Sequence, residues 1–343
     1  MFDFVSFIPR AIVQGIPLLF GSTGETLTEK SGNLNLGIAG IMYVGGISGV
    51  IGAFLYEQAA GGAAGMNGFL AIMIPLLSCL LGSLLMGLLY CFLTVTLRAN
   101  QNVTGLAMTT FGVGFGNFMG GSLIKLTGSE VPSIALSATN SYFSKSLPFA
   151  DKLGWFGKIF LSYGFLAYAA VIIAFICAYI LRRTRIGLQL RAVGENPAAV
   201  ATLGINVYRL RMRAVLLGGV FAGMGGAVMC LSSANVFVND MSAGSGFMAF
   251  AANQFGQWSP VGGYLATLLF GVMQALRMRL QSFGIATQLT QMLPYLAALI
   301  GIKLTGMRMR APAANGTPYP HPLSAPCLRR KSAGESQSKG SKA

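Results

Sequence analysis

The sequence predicts an all-α protein: a polytopic transmembrane helical bundle of about 8–10 spans, some of them broken or re-entrant. Composition is the first observation behind this prediction. Of 343 residues, 54% are hydrophobic and only 10% are charged, whereas an average soluble domain carries about 25% charged residues. Mean hydropathy is +0.64. Apolar runs recur near the roughly 20 residues that a helix needs to cross a bilayer. Glycine contributes 46 residues, many of them inside those runs, which interrupts helices and lets them pack closely. Length alone would fit two soluble domains, but so few charges cannot cover two globules. A soluble enzyme, a DNA-binding module and a secreted disulfide scaffold are therefore disfavoured.

In chain order, the first span is Val5–Gly21; it lacks a signal-peptide cleavage pattern and is expected to remain a membrane helix. Leu34–Leu55 is apolar but punctuated by Gly37, Gly40, Gly45, Gly46, Gly49 and Gly52. Clear spans follow at Phe69–Leu97, Val103–Ile124, Ile159–Leu181, Ala214–Leu231, Val261–Leu276 and Gln288–Leu304. Gly244–Phe255 is too short to cross alone at about 1.5 Å per residue. It is expected to be half of a broken or re-entrant helix.

The net charge of +15 sorts by segment. Arg182–Arg213 carries seven arginines and Glu195, and the stretch from Lys303 to the end carries eight basic residues and Glu335. Together they hold thirteen of the fifteen positive charges. The positive-inside bias places both in the cytoplasm, with Arg98–Asn102 inside and Lys125–Lys158 outside. Reaching the C-terminal side requires Gly244–Phe255 and Val261–Leu276 to form a hairpin, or one of them to be re-entrant. Arg277 and Arg279 then face outside, mildly against the rule, and the side of the N-terminus stays open. The expected organisation is a transmembrane domain at 1–310, containing a cytoplasmic loop at 182–213. A Pro/Ser/Lys-rich tail at 311–343 is expected to be disordered. This charge distribution is a topology signal, so no nucleic-acid partner is expected; membrane lipid is.

Several chemistries find no support. Cys79, Cys91, Cys177 and Cys230 lie in apolar stretches without CxxC spacing and read as packing thiols. The single histidine, His321, sits in the polar tail, so no metal site or catalytic residue is assigned. Lys30–Ser31 follows Glu29 where a P-loop needs glycine, so the chain is expected to bind no ATP of its own and to be no enzyme. Gly112, Gly116 and Gly120 share a helix face, as do Gly219 and Gly223, and these read as helix-packing faces.

Away from span ends, the clear spans contain no Asp, Glu, Lys or Arg. That weakens a proton-relay transporter or a charged-ring channel. The polar side chains inside or beside spans are amides, which serve as interhelical glue or as ligand contacts. Asn33, Asn35, Asn253 and Gln254 lie in Gly-broken or short segments, where transporters expose backbone to substrate. Within the basic loop, Asn196 can cap a helix and Pro197 fits its first position. Ala198–Leu203 are good helix formers, and Gly204 accepts the left-handed backbone that ends a helix. A rigid helix of about two turns is expected there.

Those residues also carry a resemblance. RAVGENPAAVATLGINV (Arg191–Val207) closely resembles the coupling-loop signature of ABC importer permeases of the branched-chain amino acid, ribose and nucleoside group. GETLTEKSGNLNLGIAGIMYVGG (Gly24–Gly46), LTVTLRANQNVTGLAM (Leu93–Met108), GFMAFAANQFGQWSPVGGYLATLLFG (Gly246–Gly271) and MRAPAANGTPYP (Met309–Pro320) resemble further elements of that group in the same order. Within it, they point to nucleoside and simple-sugar permeases. Departures include Ala39, where the family has an acidic residue, Tyr43 and Gly45 in a usually apolar stretch, and Ala252–Gln254. Residues 321–343 match nothing in the family.

The resemblance implies a type II-like permease subunit in a bacterial cytoplasmic membrane. It implies a second homologous permease subunit, identical or not, two cytoplasmic ATPase subunits and an extracytoplasmic substrate-binding protein. ATP and Mg would bind the ATPases, whose closure would push on the Glu195–Gly204 helix. In that reading Gly194, Glu195, Asn196 and Pro197 set the helix, and Arg191, Ala198, Ala199, Thr202, Leu203 and Gly204 form its contact surface. Asn33, Asn35, Asn102, Asn253 and Gln254 are the pathway candidates.

Overall fold

Each long apolar run becomes a helix because a chain without water around it must satisfy its backbone internally. The computed structural model describes residues 4–62, 65–127, 133–135, 137–145, 154–233, 236–238, 244–284, 286–305 and 310–319. Its helices are α1 (Phe4–Lys30), α2 (Ile38–Ala59), α3 (Gly68–Cys91), α4 (Gln101–Thr127), α5 (Ser137–Phe143) and α6 (Gly154–Phe160). They continue as α7 (Phe165–Arg183), α8 (Arg185–Glu195), α9 (Pro197–Thr202), α10 (Val207–Val228), α11 (Ser245–Phe255), α12 (Pro260–Ser282), α13 (Thr287–Gln291) and α14 (Leu293–Thr305). Helices α3 and α10 each run on through a wider π-helical turn, at Phe92–Thr96 and Met229–Ser233. Five helices, α2, α3, α7, α10 and α12, are long and apolar enough to cross a membrane. The one strand pair among the described residues is β1 (Ser133–Ala135) against β2 (Val236–Val238), antiparallel with Ser133 opposite Val238.

Helix α2 is the axis of the bundle. It is apolar on every side, the pattern of a helix surrounded by others, and nearly all of Ile38–Ala53 is buried. Each face carries a small residue where a neighbour crosses. A Cβ on Gly40 would come within 2.5 Å of the Met108 carbonyl of α4, and one on Gly45 within 2.5 Å of the Gly223 Cα of α10. Gly52 faces Ser78 of α3 in the same way. Backbones at this distance gain van der Waals contact, which drives association where lipid removes the hydrophobic incentive. The outer face of α3 instead exposes Leu77, Leu81, Leu85 and Leu88, an apolar surface suited to lipid.

Contacts along the helices fix their directions. Gly24 lies beside Gly218 and Gly225 beside the Pro17 carbonyl, so α1 is antiparallel to α10. Lys30 therefore shares an end of the bundle with α8 and α9, and Phe4 lies toward the opposite end. Helices α2, α4, α10 and α12 run away from the α8–α9 end, and α3, α7 and α14 return to it. Arg98 sits beside the α9–α10 linker, on the same side as the basic loop, and α12 carries Arg277 and Arg279 away from it.

Three predicted elements differ from the structure. Helix α1 runs to Lys30 rather than ending at Gly21, so Glu25 and Glu29 enter the bundle. Ile159–Leu181 is split between α6 and α7 by the chain at 161–164, whose last residue, Gly164, is extended (φ −63°, ψ 154°) and packs against the Phe143 carbonyl. Gln288–Leu304 is broken into α13 and α14 around Met292, next to Pro294, which has no N–H to continue a helix. The short Gly244–Phe255 segment is α11, which forms a helical hairpin with α12 through Gly256–Ser259.

Gly226 faces the Met42 carbonyl with no room for a methyl group, whereas Gly114 of α4 faces open space. Gly226→Ala is expected to lower stability by about 1–3 kcal/mol through overpacking. Gly114→Ala should change it by no more than about 0.5 kcal/mol. Denaturant unfolding of the purified chain in detergent compares the two.

Candidate functional site

The chain between α1 and α2 builds the site. Helix α1 ends in a left-handed turn at Gly32 (φ 82°), with Gly32 N–H donating to Glu29 O at 2.9 Å and Asn33 N–H to Thr28 O at 3.3 Å. This is a Schellman closure, and it needs glycine at that position. Residues 33–37 then fold back into the bundle. Helix α2 starts level with Gly21, since Gly21 lies against Ile38 and Met42. That is nine residues, or roughly 13 Å, short of the end of α1.

Backbone groups released at that depth are met one by one by side chains. Leu34 N–H donates to Gln101 Oε1 at 2.7 Å, and Asn35 N–H to Glu25 Oε1 at 3.1 Å. Gly37 N–H donates to Asn35 Oδ1 at 3.1 Å. The Tyr90 hydroxyl donates to the Leu34 carbonyl, and Thr109 Oγ1 donates to the Leu36 carbonyl at 2.9 Å. Three helices, α1, α3 and α4, thus contribute one polar side chain or more to a single loop.

Helix α11 is the second broken element entering this region. Gly246, its second residue, touches Ala39, the second residue of α2. The N-terminal ends of two interior helices therefore meet at one point. From there α11 runs parallel to α1, and Asn253 Oδ1 accepts from Thr26 Oγ1 at 2.7 Å. The following turn holds Gln257 and Trp258 at positive φ, 53° each. It delivers the Trp258 indole N–H to Glu29 Oε2, which also accepts from Asn315 Nδ2 at 3.0 Å.

Of the pathway candidates, Asn33, Asn35 and Asn253 are buried together with Glu25, Glu29 and Gln101. Asn35 is committed to the backbone. The two amide atoms of Asn33 have no hydrogen-bond partner among the described residues, whereas Asn253 lies beside the Glu29 carboxylate and interacts with it. Gln254 is half-buried. Asn102 is exposed at the start of α4, and its neighbour Gln101 is the residue that enters the cluster. The sequence reading missed Glu25 and Glu29 by ending the first span too early; their i,i+4 spacing in GETLTEK was the available signal.

At the end of the bundle, the basic loop forms two helices. Helix α8 was not anticipated; Thr184 caps it by accepting from Gly187 N–H at 3.2 Å. Helix α9 begins at Pro197, with Asn196 Oδ1 accepting from Ala199 N–H at 3.1 Å, and closes into Gly204 at φ 78°. Val200 anchors α9 in a small apolar cluster with Val193 and Val207. Arg191, Glu195, Asn196, Ala198, Ala199, Thr202, Leu203 and Gly204 are exposed, and Leu203 is 77% exposed. Gly194 is buried where a side chain would strike the Lys30 carbonyl. Beside α9, a cleft of about 630 Å³ opens between Thr96, Arg98, Gly204, Tyr208 and Tyr319.

The expected disordered tail starts instead as a docked strap. Residues 310–319 pack under α8: Ala314 N–H donates to the Gly194 carbonyl at 2.8 Å and Ala313 N–H to Glu195 Oε2 at 3.4 Å. Arg211, expected only as a loop charge, is 2% exposed. It donates from Nε to Ser31 O at 3.1 Å and from a terminal nitrogen to Thr317 O at 2.9 Å, and it stacks 6.0 Å from the Tyr319 ring centre. Backbone pairing with a neighbouring helix offsets the low apolar content that argued for disorder. The rest of the expected tail, 320–343, lies outside the described residues.

A long-helix bundle with two interior helix starts fits a membrane transport protein. The family described as branched-chain amino acid transport system / permease component matches residues 7–302. The chain belongs to that family. The permease is 32% identical to the guanosine ABC transporter permease protein NupQ of Bacillus subtilis, over 91% of this chain and 95% of the relative. It is 34% identical to the nucleoside ABC transporter permease protein NupC of Lactococcus lactis, over 91% and 96%. It is also 30% identical to the putative glucose ABC transporter permease protein TsgC13 of Haloferax volcanii, over 83% and 80%. No solved structure matches the permease.

Gln101→Leu should strand the Leu34 N–H in an apolar site and cost the permease about 1–3 kcal/mol. Asn102→Ala, at the exposed neighbour, should stay within about 0.5 kcal/mol. Equal unfolding midpoints for the two variants would contradict the assignment of Gln101 to the loop.

Proposed function

We propose that the chain is the membrane-spanning permease subunit of an ATP-driven ABC importer for nucleosides. The observation that carries the reading is the likeness to two permeases named for guanosine and nucleosides, each spanning 91% of this chain. A simple sugar is the second reading, supported by the likeness to a permease named for glucose. The subunit would sit in a bacterial cytoplasmic membrane with α8, α9 and the strap in the cytoplasm. It would work with a second homologous permease, two ATPase subunits that bind ATP and Mg, and an extracytoplasmic binding protein.

The geometry supplies a mechanism for that role. Leu203, Ala199 and Thr202 form an exposed tip on a helix capped at both ends, and such a tip transmits a push without fraying. The substrate pathway would lie where α2 and α11 start inside the bundle. Asn33, on the loop that leads from the end of α1 to α2, has an amide without a partner among the described residues, able to donate to and accept from a sugar hydroxyl or a base. Interior helix starts of this kind are where transporters bind solute near mid-membrane. With Ala39 where the family has an acidic residue, the α2–α11 contact is uncharged, which suits a neutral solute.

The intact chain should co-purify with an ATPase, and its cells should take up guanosine only while ATP is available. Uptake that persists after ATP depletion, with no ATPase co-purifying, would sink this reading. Glu195→Ala and Gly204→Val should each leave membrane insertion intact but lower uptake per ATP hydrolysed by about tenfold, within the usual span of coupling energies. Direct binding of guanosine and of glucose to the partner binding protein separates the two substrate readings.

A further inference from the structure

The α8–α9 unit packs directly on the end of α1, with Gly194 against Lys30 and Leu190 in one cluster with Leu27, but its hydrogen bonds run elsewhere. Among the described residues, the hydrogen bonds that leave α8 and α9, beyond their own caps and turns, go to the strap at Ala313 and Ala314. The opposite edge of the strap is bonded to the bundle interior. Asn315 donates to Glu29 of α1, and the Thr317 carbonyl accepts from Arg211 of α10, which also holds Ser31 O. Glu29 in turn receives the Trp258 indole from the α11–α12 turn. The loop at 31–37, the end of α1 and the start of α12 therefore converge on two side chains, Glu29 and Arg211, and the strap bridges both to α8.

We propose that residues 310–319 are the transmission element between the coupling helix and the interior helix starts, with Asn315 and Arg211 as its positioning residues. This inference rests on the ABC permease reading above. Displacing α9 moves α8 through the contact of Val200 with Val193, in a cluster completed by Val207 of α10, against which Tyr319 of the strap packs. Moving α8 pulls on Ala313 and Ala314. The strap then shifts Glu29 and Ser31 together, and with them the turn that leads to Asn35 and α2. Glu29 is buried and its strap-facing oxygen is shared by two donors, so the linkage has little slack. Asn315 Oδ1 and one terminal nitrogen of Arg211 have no hydrogen-bond partner among the described residues, so the hold of this network rests on the few contacts named above.

The test uses the complete transporter, with its ATPases and second permease, in proteoliposomes, and reads guanosine taken up per ATP hydrolysed. Asn315→Asp puts a carboxylate against Glu29 and should lower that ratio about tenfold while ATP hydrolysis stays within about twofold. Adding Glu29→Gln removes the like-charge contact while keeping an oxygen for the Trp258 indole, and should raise the ratio about threefold above that of Asn315→Asp. Asn315→Ala, which only removes the contact, should lower the ratio in the same direction and decides the matter if Asn315→Asp does not assemble. An unchanged ratio in Asn315→Ala, or a lowered ratio in Asn315→Asp that Glu29→Gln does not raise, overturns the proposal. A parent transporter whose uptake ignores ATP overturns the functional reading instead, so the two failures are distinguishable.

Discussion

A backbone that leaves its helix inside an apolar bundle must find every hydrogen bond from side chains. The fold of this permease is organised around that constraint. The turn at 31–37 releases the peptide groups of Leu34, Asn35, Leu36 and Gly37 well short of the membrane end of α1. Gln101, Glu25, Asn35 and Tyr90 are buried and Thr109 half-buried because each answers one of those groups. An unanswered group would cost about 1–3 kcal/mol, so removing several would approach the entire stability of a domain. The turn in turn determines where α2 starts, and α2 touches α1, α3, α4, α10 and α11.

Packing around α2 follows from that placement. A helix enclosed on all sides has no lipid-facing side on which to put bulk, so its crossings fall on glycine, alanine and serine. Helix α3 packs one face on α2 and turns leucines outward, and α4 does the same with Val103, Leu106, Phe111 and Phe118. Small residues thus mark the interior of the bundle and large ones its perimeter, the reverse of a soluble helix. Backbone contacts at this distance resist small deformations but separate cleanly, a property suited to a bundle that exchanges between packed arrangements.

Much of this was legible in the sequence. The apolar runs located every long helix, and the arginine count placed Arg98, α8, α9 and the strap at one end. Asn196, Pro197 and Gly204 marked the short α9 because capping is local chemistry. Three kinds of feature were not legible, each for a physical reason. Glu25 and Glu29 looked like the polar end of a span because hydropathy cannot distinguish a solvated carboxylate from one held by an indole and an amide. Gln101 and Asn102 are adjacent and chemically alike, and only the helix phase decides which faces inward. Residues 311–319 have the composition of a tail, and their order comes from the Gly194 carbonyl and Arg211, partners more than a hundred positions away.

The buried polar side chains therefore map the interruptions of the helices. Of the amides read as pathway candidates, Asn35 is occupied with the loop backbone, as are Gln101 and Glu25, and Asn253 is engaged by Thr26 and Glu29, while Asn33 keeps its amide without a partner among the described residues. Arg211 extends the same logic to the end of the bundle, where Ser31 and Thr317 present carbonyls that no helix satisfies. A guanidinium can hold two such carbonyls at once from a fixed planar fork, which a lysine ammonium does less rigidly. Its burial joins a broken helix end to a strap lacking helical structure. The two least regular segments of the described chain thereby become one mechanical unit, positioned between the exposed helix tip and the interior helix starts.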